Sequence, residues 1–156
     1  MKNPYSPPES DVATSIDEVE YVGFWIRVVA SLIDTLLMLV ITLPLIYAAY
    51  GVDGFMSEKI INGPADVVIN YVLPAVLTIL LWIYFSATPG KMIVGAIIVD
   101  EKTLAPISKG QSISRYLGYY VSMLPVFLGF FWVGWDKRKR GWHDMMAGTV
   151  VIKKQT

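Results

Sequence analysis

The chain has 156 residues, 54% of them hydrophobic, and a mean hydropathy of +0.52, values too apolar for an ordinary soluble domain and suited to one small polytopic membrane domain. Thirteen basic and thirteen acidic side chains cancel, which excludes the strongly basic footprint of a nucleic-acid-binding protein. The absence of cysteine excludes disulfides, thiolate metal sites and a cysteine nucleophile.

Residues 1–20 are rich in proline, serine and acids and poor in large apolar groups, which predicts a flexible acidic tail. The lead-in lacks the basic start of a secretory signal peptide. The membrane domain is expected over 21–156. Its first span is predicted at about 28–50, where Asp34 is the only charge and the length suffices to cross a hydrocarbon core of roughly 30 Å. A Gly-rich connection, 51–66, leads to a second uncharged span at about 67–88. Trp82 and Tyr84 near its end fit an interfacial aromatic belt. Pro89 and Gly90 are expected to end that span in a turn, with Lys91 anchored at the headgroups. Its Gly-Lys pair lacks the Walker spacing and the following Ser or Thr, so it is no phosphate loop.

The third apolar segment, 114–135, holds twenty uncharged residues from Tyr116 to Trp135, with Pro125 and Gly129 in the middle. One lysine and three acids in 49–66 contrast with four basic residues in 86–115 and six in 136–156. The positive-inside rule then puts both flanks of this segment in the cytoplasm, which a straight crossing cannot achieve. A re-entrant hairpin around Pro125 and Gly129 is expected, with a third full span as the alternative. The β-branched runs Gly95 to Asp100 and Gly148 to Lys154 are expected to pair as a small cytoplasmic β ribbon, Ile97 to Asp100 against Thr149 to Ile152. The fold class is therefore an all-α integral membrane protein of two transmembrane helices and a third apolar segment, with that ribbon attached.

Arg27 and Asp34 stand seven residues apart, about two helical turns, and so share a face. An ionisable group at such depth is expensive, by roughly 2.5–3.5 kcal/mol at a helix centre, so Asp34 needs a partner. A bundle-locking pair and a transport or relay role are both open readings of it. Lys137, Arg138, Lys139 and Arg140 form a cationic run that reads as a topogenic anchor on anionic lipid. Downstream, Asp144 fits the first turn of a short helix, where a carboxylate is favoured. His143 is the only histidine; without cysteine or a second histidine it makes a zinc site poor, and it reads as a packing or headgroup contact or a proton donor. Asn70 is the polar candidate within the second span, as interhelical glue. No serine is marked as partner to the lone histidine, so no hydrolytic triad is supportable. A non-enzymatic protein without metal or cofactor is expected.

The stretches "GFWIRVVASLID", "TPGKMIVGAIIVD" and "GFFWVGWDKRKRGWHDMMAGTVVIKK" together resemble the RDD family of small bacterial membrane proteins, over nearly everything from Tyr21 to Lys154. The resemblance implies that Arg27, Asp34 and Asp144 are the arginine and two aspartates for which the family is named. It implies placement in the bacterial cytoplasmic (inner) membrane and a role in transport, with some members linked to sodium–proton exchange. The expectation is a charge cluster of Arg27, Asp34 and Asp144, of net charge −1, suited to a proton or small cation. A transporter this small would need a homo-oligomer. The alternative is a non-transporting adaptor or regulatory partner of another membrane protein. The lipid bilayer is the one partner both readings require.

Overall fold

The computed structural model describes residues 19–154; the acidic tail predicted at 1–20 lies almost wholly outside them. The chain is mostly helical. Helix α1 (Phe24–Tyr50) and helix α3 (Pro64–Phe85) are both long and apolar enough to cross a membrane, and between them lies only a short turn of helix, α2 (Asp53–Met56). Pro64 opens α3 at a position where its missing N–H has no intrahelical partner to lose. Within α3, Val68–Val72 widens into a π turn. Pro74 lies just beyond it, and a proline ring crowds the carbonyl four residues earlier, here that of Asn70.

Ser86, in the left-handed conformation (φ 53°), ends α3. Pro89 does not end the second span, as the sequence predicts, but starts a separate helix, α4 (Pro89–Ile93). Strand β1 (Ala96–Asp100) follows and pairs antiparallel with β2 (Thr149–Lys153). The register joins Ile97 to Ile152 and Asp100 to Thr149, the pairing expected from the two β-branched runs. Upstream of α1 the chain adds to the far edge of β2, where the Val22 amide donates to Val151 and the Lys153 amide to Glu20.

The third apolar segment breaks in two. Helix α5 (Lys109–Met123) opens on a capping box in which Ser108 and Gln111 satisfy each other's backbone amides. Helix α6 (Leu128–Phe131) continues as a 3-10 turn to Gly134, and the two axes differ by 113°. The reversal falls at residues 124–127, with Pro125 in it and with Val126 and Phe127 both at positive φ. Gly129 is not part of the bend, contrary to the expectation. A Cβ there would lie 2.6 Å from the Cα of Ser122, so its role is to let α6 fold back onto α5. Helix α7 (Trp142–Ala147) crosses α5 in the same manner at Gly118, whose Cβ would lie 2.8 Å from the Cα of His143.

The core sits at one end of the molecule. Val22, Trp82, Ala96, Ile98, Ile107 and Val151 form it, with Tyr116 and Tyr119 packed alongside. Trp82 is therefore no aromatic-belt residue: it is 1% exposed, whereas Tyr84 on the next face is 75% exposed. Trp82 closes the core because α3 delivers its last turn onto the ribbon.

Candidate functional site

Asp144 lies at the third position of α7 and is fully buried. One carboxylate oxygen, Oδ2, accepts from the Gly141 amide at 2.9 Å and from Arg27 Nη1 at 2.5 Å. The other, Oδ1, pairs with Arg115 Nη1. Arg27 reaches the site from the first turn of α1 and also donates to the carbonyls of Val22 (Nε, 3.0 Å) and Lys139 (Nη2, 2.5 Å). Arg115, fully buried, comes from α5 and also donates to Thr149 Oγ1 at 2.7 Å. Its guanidinium carbon stands 5.4 Å from the centre of the Trp82 ring, a cation–π distance. Burial alone would raise the Asp144 carboxyl; the guanidinium groups of Arg115 and Arg27 outweigh it and hold the group well below the ordinary carboxylate range. One acid thus ties α1, α5 and α7 together.

Asp34 is not part of that arrangement. Its Oδ2 accepts from Thr88 Oγ1 at 2.5 Å and its Oδ1 from the Gly90 amide at 2.7 Å. Helix α1 thereby supplies the N-terminal cap of α4, where orphan amides and the helix dipole favour an anion. Gly90 is required for the approach, since a Cβ would fall onto the Ala30 carbonyl and within 2.9 Å of the Asp34 carboxyl carbon. The two charges in one apolar helix therefore have separate explanations: Arg27 and Asp34 serve different partners.

His143 is buried, stacked on Tyr119 at 4.3 Å and against Phe130 at 5.2 Å. Its Nδ1 lies 3.3 Å from Ser122 Oγ. Burial lowers its pKa to about 3, with the Asp144 carboxylate opposing and the neighbouring cations reinforcing the shift, so the imidazole is neutral at physiological pH. Asn70 donates to Asp66 within its own helix rather than joining two helices, and Asp66 also accepts from the Asn62 amide at 2.8 Å. In the cationic run, Lys137 and Arg138 are exposed. Lys139 offers its carbonyl to Arg27. Arg140 pairs with Asp136 and Glu101, both at 3.0 Å, which raises the arginine and lowers Asp136.

Three of the cavities are lined in part by α1. The roomiest of the three, of about 410 Å³, is lined by Ser31, Asp34 and Thr35 with Thr88 and Lys91 of the α4 region and tyrosines of α5. The two others also bear on charged residues. One, of about 280 Å³, lies between α1 and the π turn of α3 and is lined by Asp34, Thr35, Thr42 and Asn70 with apolar neighbours. The other, of about 320 Å³, is lined by Arg27, Lys91, Arg115 and His143 together with aromatic and aliphatic groups of α1, α5 and α6.

A family model described as the RDD family matches residues 21–148, a stretch that contains every residue of the Arg27, Arg115 and Asp144 arrangement. The chain belongs to the RDD family. Among its relatives, an uncharacterized protein YxaI of Bacillus subtilis is 29% identical, over 85% of this chain and 97% of its own length. The uncharacterized membrane protein YteJ of the same organism is 26% identical over 96% of this chain and 88% of its own. A shorter match, 39% identical over 46% of this chain, is to an uncharacterized protein RP437 of Rickettsia prowazekii, of which it covers 39%. No solved structure matches.

In this RDD protein the residue that sequence reasoning overlooks is Arg115, and the one whose burial it misses is Lys91. Arg115 sits at the polar edge of the third apolar segment and carries no motif. Its signal is an isolated arginine within an otherwise uncharged run, the kind of residue that must find an acid when buried. Lys91 does not project from the surface: it is 7% exposed, held inward because Gly90 brings α4 hard against α1.

Proposed function

We propose that this RDD protein is a multi-pass protein of the bacterial cytoplasmic membrane in which a proton or small cation moves along the seam between α1 and α3. The observation that carries the reading is the cavity in which Asp34, Thr35 and Thr42 face Asn70, a polar lining on two helices that are otherwise apolar. Intramembrane carboxylates and amides that face such a cavity mark ion or proton paths. Asn70 extends the line by its bond to Asp66, and it lies in a π turn, a departure from helical geometry that recurs at functional sites.

The Arg27, Arg115 and Asp144 arrangement does not favour a cation. With Arg115 included it has one positive charge left over, the reverse of the balance expected from the sequence, and we assign it a clasping role. The bend at residues 124–127 supports a third segment that enters and leaves on the cytoplasmic side, next to the ribbon. Apolar side chains crowd the outer faces of α1 and α3. Two helices do not enclose a path, so the exposed faces would be shared between lipid and further copies of the chain.

The test is reconstitution in liposomes with an internal pH-sensitive dye and an imposed sodium or potassium gradient. Cation-dependent proton flux in the wild type, abolished in Asp34→Asn at near-normal membrane abundance, supports the reading. Asparagine keeps its Oδ1 for the Gly90 amide and can donate its side-chain N–H to Thr88 Oγ1, since a hydroxyl also accepts, so the α4 cap survives the change. No flux from the wild type, with a membrane protein co-purifying in stoichiometric amount, would instead establish the adaptor role.

A further inference from the structure

We infer that the cavity among α1, α5 and α6 is a binding site for the phosphate headgroup of an anionic phospholipid, held by Arg115 and Lys91. This rests on the membrane placement above and not on ion movement. Three cations, Arg27, Lys91 and Arg115, line the cavity. The Asp144 carboxylate beside it is consumed by Arg27, Arg115 and the Gly141 amide, and the Asp34 carboxylate by Thr88 and Gly90. His143 is neutral. Counting both acids, one positive charge is unmatched.

The three cations are not equivalent. All three nitrogens of the Arg27 guanidinium have protein acceptors, so that residue is already occupied as a clasp. Arg115 differs: its Nε and Nη2 are buried and meet no acceptor with hydrogen-bond geometry, although the Tyr119 hydroxyl is near enough to favour its charge. Lys91 has no hydrogen bond or ion pair among the described residues, although it is only 7% exposed. Buried donors in native proteins are nearly always satisfied, and an unpaired buried charge is strongly unfavourable. Unused donors on an arginine and a lysine that line one cavity call for an acceptor with several anionic oxygens, which a phosphate supplies.

The rest of the lining selects the source of that phosphate. Phe24, Val28, Leu32, Phe130 and Phe131 contribute apolar surface, and Leu32 and Phe131 are 59% and 49% exposed. Through them the cavity wall continues into the outer apolar face of α1, the face that meets hydrocarbon. A headgroup entering from the bilayer would set its phosphate on Arg115 and Lys91 and leave its acyl chains along α1. A soluble phosphate would gain nothing from that apolar wall.

The experiment measures thermal unfolding of the purified protein in an uncharged detergent, titrated with dioleoylphosphatidylglycerol, dioleoylphosphatidylcholine or inorganic phosphate. Phosphatidylglycerol should raise the midpoint saturably, with the other two inert. Lys91→Met should weaken that response at least tenfold and, because it removes an unpaired buried cation, raise the midpoint of the lipid-free protein. A lysine with a merely structural role would give the opposite sign in the lipid-free state. Equal stabilisation by phosphatidylcholine would overturn the inference in favour of an unspecific lipid annulus. An equal response to inorganic phosphate would overturn the lipid assignment, and an unchanged titration in Lys91→Met would overturn the site.

Discussion

The two ends of this molecule are built on different rules. Around the ribbon, α4 meets the first half of α1 at Gly90 and α5 meets α7 at Gly118, glycines that bring backbones into contact; Trp82 and Ile98 are sealed from solvent, and each oxygen of the central carboxylate has a cationic partner. Along α1 and α3 the large side chains point outward: Leu36 is 64% exposed and Val40 72%. The ribbon end carries its own interior, whereas the long helices have apolar surfaces that only lipid or another chain can cover. The difference teaches where stability resides. Specific folding energy is concentrated at the polar end, and the long helices depend on their surroundings.

The largest effect should come from Asp144→Asn, which strands two guanidinium groups in a buried site. Breaking a buried pair in this way typically costs about 3–5 kcal/mol. Membrane abundance and the detergent unfolding midpoint should therefore fall together. Arg115→Met added to Asp144→Asn should recover part of the loss, since Arg27 keeps the Val22 and Lys139 carbonyls. A double variant no more stable than Asp144→Asn would show that Arg115 is not the partner that matters.

Next in size is Ile98→Ala, at about 2–5 kcal/mol for a fully buried isoleucine, read from the same unfolding measurement. The pH dependence of stability follows. The His143 pKa in the fold, about 3, lies below its ordinary 6.5, so the native state excludes a proton that the unfolded chain binds. The stabilisation is complete above pH 6.5 and is lost as pH falls from there toward 3, by about 1.4 kcal/mol per unit. Unfolding midpoints at pH 6.5, 5.75 and 5 should decline in the wild type and stay level in His143→Gln; a level wild type would break the assignment of a neutral, buried imidazole. The smallest effect is expected from Leu36→Ala, within about 0.5 kcal/mol in detergent. A loss there as large as that of Ile98→Ala would mean that α1 is buried against a second copy of the chain, and the contrast between the two ends would dissolve.

Much of this was legible in the sequence because it depended on local pattern. Apolar run length marked α1 and α3, and β-branched runs between glycines marked the ribbon and its register. Arg27 and Asp144 stood out as charges beside apolar segments, and family resemblance joined them. What stayed hidden depended on partners distant along the chain. The role of Arg115 required knowing that α7 crosses α5 at Gly118. Asp34 looked like a partner for Arg27 because both lie on one helical face; its actual donors, Thr88 and Gly90, are brought to it by the close contact of Gly90 with Ala30. Composition likewise placed Trp82 in an aromatic belt, since nothing local reveals that the ribbon packs over the last turn of α3.

The clasp also sets a timetable for biogenesis. Arg27 and Asp144 are 117 residues apart, and at the usual pace of synthesis the acid is made on the order of ten seconds after the arginine. Throughout that interval α1 carries a guanidinium whose carboxylate does not yet exist. A chain cut short before Asp144 would retain Arg27 and Arg115 without the acid they share, so that in the membrane placement proposed above an unfinished copy differs from a complete one by two unneutralised guanidinium groups.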